Sequence, residues 1–197
     1  MGTIVVFENV SLDGVIQDPT GEEGLNSVDW RDALSPADRE AWAQLILDDA
    51  LDAEVLLLGR GGYEYFAARY PSRTNRLADR MNGMPKYVVS STLTDPKWHN
   101  TTVLAGAVVD EVGQLKQAVD GQIRVYASAQ LLHLLLAHDL VDELRLAVFP
   151  VLMGAGHHVF DQTDAPKPLR PRLLRLAETR TVGAGLVQLT HRRVAER

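Results

Sequence analysis

Apolar residues fall in short blocks separated by stretches of helical period, the signature of strands alternating with helices. Thr3 to Phe7 is β-branched and apolar, is followed by polar turn residues, and reads as a buried strand. Val55–Leu58, Lys86–Ser90, Thr102–Ala105, Ile123–Tyr126 and Leu144–Val148 repeat that signal. Ser35-Pro36 opens a helix running to about Leu51. Serine caps, proline suits the first turn, and Ala41, Trp42, Leu45 and Ile46 recur at helical spacing. Further helices are expected from Tyr63, over Asn75–Met81, over Asp110–Val119 and over Leu131–Ala137. The last is apolar almost all round, as a helix packed tightly on a sheet should be. Leu173–Thr179 and Leu186–His191 read as two strands joined by Val182-Gly183-Ala184-Gly185, a hairpin signal. The alternation predicts an α/β fold with a mostly parallel central sheet and a C-terminal antiparallel hairpin.

The length of 197 residues suits a single domain over 1–197, large enough to need no disulfide or metal staple. Hydrophobic residues at 46% and charged residues at 23% are those of an ordinary soluble globular chain. The absence of cysteine removes a disulfide framework, a thiolate zinc site, a cysteine nucleophile and zinc-deaminase chemistry. A net charge of −6 argues against nucleic acid, which needs clustered Lys and Arg. The apolar run Leu131–Ala137, interrupted by His133, is too short to cross a bilayer, so no membrane partner is expected. Met1–Val6 has no basic n-region. A cytoplasmic location fits these features.

In a sheet of this kind ligands bind beyond the carboxyl ends of the strands. Three strand ends carry small or polar residues suited to an anion: Gly59-Arg60-Gly61-Gly62, Ser90-Ser91-Thr92 and Ala127-Ser128-Ala129-Gln130. The first and third precede helices, whose exposed N–H groups and dipole favour phosphate. Arg60 adds a bidentate donor, and Gly61 and Gly62 let a phosphate approach the backbone. One such junction is an ordinary turn; three at one sheet edge favour a nucleotide. Neither G-x-G-x-x-G after the first strand nor G-x-x-x-x-G-K-[ST] occurs, which argues against a standard Rossmann fold or P-loop.

Several segments together resemble the dihydrofolate reductase superfamily. They are Ser11-Leu12-Asp13-Gly14-Val15-Ile16, Leu56 to Glu64, Tyr87 to Leu93, and the run from Val125 through Leu146 to Gly154. The nearest branch holds the C-terminal reductase domain of the bifunctional riboflavin-biosynthesis deaminase–reductase. The resemblance covers nearly the whole chain in order. It implies a three-layer dihydrofolate reductase-like fold, NADPH as cofactor, and hydride transfer to a C=N or C=O bond of a small, heterocyclic, pterin- or pyrimidinone-like substrate. By position, Gly59, Arg60, Gly61 and Gly62 face cofactor phosphates, and Ser90 and Ser91 the adenosine ribose and its 2′-phosphate. Ala127, Ser128, Ala129 and Gln130 hold the pyrophosphate, while Asn9 and Ile16 flank the nicotinamide. Trp30, Phe66 and Asp13 lie on the substrate side, and the proton source is a bound water or a loop carboxylate, with Asp13 the candidate. The resemblance also implies a homodimer.

Departures from the family pattern are as informative. Threonine is usual where Gly62 stands, and glycine where Ala127 stands. The superfamily often joins two small residues by a cis peptide where Ala127 and Ser128 lie. These departures keep a second reading open, a catalytically inactive nucleotide-binding module on the same fold. Other groups read more plainly. His157-His158 with Asp161 is a polar loop rather than a metal site. Asp48, Asp49 and Asp52 read as a solvated helix face, Asp142-Glu143 as a turn or interface, and Trp42 as core.

Overall fold

The computed structural model describes residues 1–22, 24–25, 28–160 and 172–194. Asp161 lies outside them. Among the described residues eight strands form one sheet: β1 (Thr3–Val10), β2 (Ala53–Gly59), β3 (Lys86–Val89), β4 (Thr101–Leu104), β5 (Gln122–Tyr126), β6 (Glu143–Val148), β7 (Leu174–Val182) and β8 (Leu186–Arg193). Their order is β4-β3-β2-β5-β1-β6-β8-β7. Every pairing from β4 across to β6 is parallel, and β8 pairs antiparallel with both β6 and β7. The mostly parallel sheet ending in an antiparallel hairpin is the architecture expected.

Among the described residues five α-helices cover the sheet: α1 (Pro36–Asp52), α2 (Arg60–Ala67), α3 (Arg76–Gly83), α4 (Val108–Ala118) and α5 (Ala129–Ala137). Leu45 of α1, Tyr63 of α2 and Met81 of α3 share one core with Phe7, Leu56 and Leu58. Val112 and Leu115 of α4 share the other with Leu132 and Leu135 of α5, Ile4, Val6 and Leu57. Alternate residues of β1 and β2 thus feed opposite cores, as strand geometry demands. The result is three layers. Among the described residues, no helix is long and apolar enough to cross a membrane.

Two polar constellations escape the hydrophobic pattern. Asp49, read as solvated, is buried: it pairs with Arg124 at 2.9 Å and Arg145 at 2.7 Å and accepts the Tyr126 hydroxyl at 2.6 Å. This fastens α1 to β5 and β6. Lys86, also buried, donates to the carbonyls of Asn82, Met84 and His99 at 2.9, 2.8 and 3.0 Å. Asp142-Glu143, expected as a turn or interface, instead leads into the sheet: Asp142, just before β6, accepts the Ile4 N–H at 2.8 Å, and Glu143, the first residue of β6, bonds Arg145 and Arg192 at 2.7 and 2.8 Å.

Candidate functional site

A cleft of about 920 Å³ opens at the carboxyl edge of the parallel strands. Its floor is built from Phe7, Glu8 and Asn9 of β1, Gly59 of β2, Val89 of β3 and Tyr126 of β5. The topology explains the position: β1 lies between β5 and β6, so its end meets loops that leave on both faces of the sheet.

The helix caps sort by their relation to this cleft. α1 and α3 begin with side-chain caps, Ser35 accepting from Asp38 N and Asn75 from Ala78 N. α2, α4 and α5 have no side-chain cap bond, and the first residues of all three, Arg60, Val108 and Ala129, line the cleft. Unclaimed N–H groups and positive dipole ends therefore converge on one space, suited to a polyanion. The Gly-rich segment belongs to α2 from Arg60 onward, where the hydrophobic pattern suggests a helix only from Tyr63.

Two small residues bring α2 against the end of β5. A Cβ on Gly62 would stand 2.9 Å from both the Ala127 carbonyl oxygen and the Ser128 hydroxyl. A threonine there, the family habit, does not fit this turn. Ala127 has φ +46°, a left-handed conformation unusual for a residue with a Cβ. The cis peptide associated with this turn is absent: among the described residues every peptide is trans. Ser128 Oγ accepts the Gly59 N–H at 2.9 Å, which joins the ends of β2 and β5.

Among the expected site residues, Asn9, Ile16, Gly59, Arg60, Gly61, Gly62, Phe66, Ala127, Ser128, Ala129 and Gln130 all line the cleft. Ser90, Ser91, Trp30 and Asp13 do not. The Ser90 hydroxyl accepts the N–H groups of Thr92 and Leu93, at 3.3 and 3.1 Å, in a local turn. Ser91 is exposed beyond the lining. Arg60 reaches that turn by a hydrogen bond to Thr92 and pairs with Glu64 at 2.8 Å. Trp30 is 1% exposed and packs on Phe149, with ring centroids 5.7 Å apart, so it is core.

Asp13, the candidate proton source, stands outside the cleft lining with its carboxyl engaged. It accepts the Ser11 hydroxyl at 2.6 Å and the N–H groups of Met153 and Gly154 at 3.1 and 2.7 Å. The Ser11 bond first, then the Gly154 and Met153 amides, hold its carboxyl well below the usual range. Its task is to pin the 11–16 turn to the segment after β6.

Other lining residues escape the sequence reading. Trp42, assigned to the core, is half-buried in the wall and donates its indole N–H to Asn9 Oδ1 at 3.2 Å. Its helical spacing gives no hint of this, because core and cleft share one face of α1. Glu8 is 6% exposed, and its Oε1 has no hydrogen-bond partner. Burial pushes its pKa up from 4.5 to about 8, against the pull of the Ser128 N–H. A glutamate inside an apolar strand is the one signal that identifies it. His157 also lines the cleft, but no described cluster of His, Asp and Glu could hold a metal.

Known proteins share this architecture. The solved structure of a Shewanella sp. PV-4 protein provisionally assigned to riboflavin biosynthesis superposes with a TM-score of 0.73 at 20% identity, over 98% of this chain and 99% of that one. Dihydrofolate reductase from Enterococcus faecalis, complexed with NADP(H) and RAB-propyl, gives 0.59 at 14% identity over 98% and 96%. These matches establish a dihydrofolate reductase-like fold. The Bacillus subtilis (strain 168) protein YyaP is 26% identical over 193 residues, 95% of this chain and 93% of its own length. The family model of the RibD C-terminal domain matches residues 2–188. With that match spanning nearly the whole sheet and all of the cleft, the chain belongs to the RibD C-terminal domain family.

Proposed function

We propose that this protein is an NADPH-dependent reductase of a small heterocyclic substrate, pterin- or pyrimidinone-like, with a C=N or C=O bond to reduce. The observation that carries the proposal is the convergence of three uncapped helix N-termini on one cleft at the carboxyl edge of the sheet. The cleft suits the cofactor: its phosphates have the N–H groups of α2 and α5, and Arg60 stands at the rim. NADPH, when bound, supplies the hydride. The protein binds, orients and excludes water. Phe66, Tyr126 and Trp42 line the cleft on the α1–α3 side and offer aromatic surface to a flat ring. Asn9, held by Trp42, keeps its amide N–H₂ available to such a ring.

The test is NADPH oxidation, followed by absorbance, against a panel of pterins, pyrimidinones and quinoid compounds. Turnover of one class supports the reading. Tight binding with no turnover of any class favours the nucleotide-binding module, to which the engagement of Asp13 by backbone amides lends support. We also propose a homodimer. Leu174 and Leu176 are exposed on β7, the edge strand, and an uncovered apolar edge is a liability that a two-fold partner removes. A monomeric mass by light scattering at micromolar concentration contradicts it.

A further inference from the structure

Three carboxyls are among the described residues of the cleft wall: Glu8, Asp18 and Glu22. Glu22 pairs with Arg69 at 2.5 Å, and Asp18 accepts the Leu25 N–H at 3.1 Å. Glu8 instead lies in the floor, with Oε1 unbonded and the Ser128 N–H directed at the carboxyl. Strand alternation puts Glu8 on the face of Ile4 and Val6, the side covered by α5.

The charged and titratable groups nearby are committed elsewhere. Across the sheet on β6 stands Leu146. On β5, Tyr126 is bonded to Asp49, and on α5, His133 Nε2 meets the Val159 carbonyl at 3.0 Å. Arg60 of α2 pairs with Glu64, Arg31 pairs with Asp29, and Arg73 lies over the Tyr70 ring at 5.1 Å. His157 is exposed. Among the described residues no cation compensates Glu8, and burial holds its carboxyl neutral at pH 7.

An anion lodged at the start of α5 approaches the Ser128 amide that Glu8 faces. Ionised Glu8 repels that anion through a poorly solvated floor; neutral Glu8 does not. We propose that Glu8 makes binding of the cofactor's diphosphate proton-coupled: the cleft takes it with Glu8 protonated and loses affinity as Glu8 ionises. This rests on the reductase reading. Binding above the carboxyl's own titration range draws a proton from solvent onto Glu8. By linkage, ligand and proton strengthen one another by the same factor.

Calorimetric titration of the full chain with NADPH between about pH 7 and 9.5 tests this, because a phosphate group titrates near pH 6, below that window. The dissociation constant should be level near pH 7 and rise by up to about tenfold per pH unit above pH 8. Glu8→Gln should flatten that slope. On the native chain, repeating the titration near pH 8.5 in buffers of different ionisation enthalpy should reveal net proton uptake. No uptake, or an equal slope in Glu8→Gln, overturns the coupling and leaves the reductase reading standing. Failure to bind NADPH at every pH overturns both.

Discussion

Gly59 donates its amide N–H to the hydroxyl of Ser128 at 2.9 Å, across the ends of two adjacent parallel strands. The bond fixes the spacing between the helix starts that follow β2 and β5, the two phosphate-facing parts of the proposed site. Ser128→Ala leaves the Gly59 amide without that acceptor. It should cost about 0.5–1.5 kcal/mol of stability in a urea titration. NADPH affinity should fall with it, since the hydroxyl acts on the cleft through this brace.

Gly62 has no room for a side chain. Its substitution by alanine puts a methyl 2.9 Å from a backbone carbonyl oxygen, that of Ala127, which cannot swing aside as a side chain can. Gly62→Ala should destabilise by about 1–3 kcal/mol, the range for overpacking a tight contact. Thermal unfolding measures the loss. NADPH binding should weaken by more than in Ser128→Ala.

Ala127 sits at φ +46°. That conformation costs an L-residue about 1–2 kcal/mol relative to glycine. Glycine in turn gives the unfolded chain about 0.4–1 kcal/mol of extra entropy. Ala127→Gly should therefore raise stability by between about 0 and about 1.6 kcal/mol. Its NADPH affinity should stay near that of the native chain. A large gain in affinity would instead mean that the methyl group obstructs the site.

Asp49 holds two arginines at once, one of them fully buried. Asp49→Asn removes the only carboxylate that Arg124 pairs with among the described residues. Breaking such a pair costs about 3–5 kcal/mol, because a buried charge is left uncompensated. Chemical denaturation should show that loss, and Asp48→Asn, on the half-buried neighbour, should show little.

The backbone of the fold was legible because the parallel strands are buried on both faces and so read as unbroken apolar blocks, Leu56-Leu57-Leu58 above all. The phosphate-facing turns were legible through glycine and helix starts at strand ends. Polar residues with buried partners were not. Asp49 on a helix looks solvated because its arginines lie 75 and 96 positions away along the chain. Ser90 and Asp13 carry the right chemistry in the right motifs, but their hydrogen bonds run to local or distant backbone amides, which no side-chain pattern records. Trp30 and Trp42 exchanged roles for a related reason: hydrophobicity alone does not distinguish the wall of a cleft from a closed core.

Three open helix ends suit this cleft to a phosphorylated dinucleotide. Titration of the full chain with NADPH, followed through the fluorescence of Trp42 in the cleft wall, tests it most directly. Saturable quenching is expected, with NADPH binding at least about tenfold more tightly than NADH, a difference of about 1.4 kcal/mol, because Arg60 stands at the rim to meet the additional phosphate. No change in fluorescence with either nucleotide, together with no displacement of a bound competitor, would contradict it.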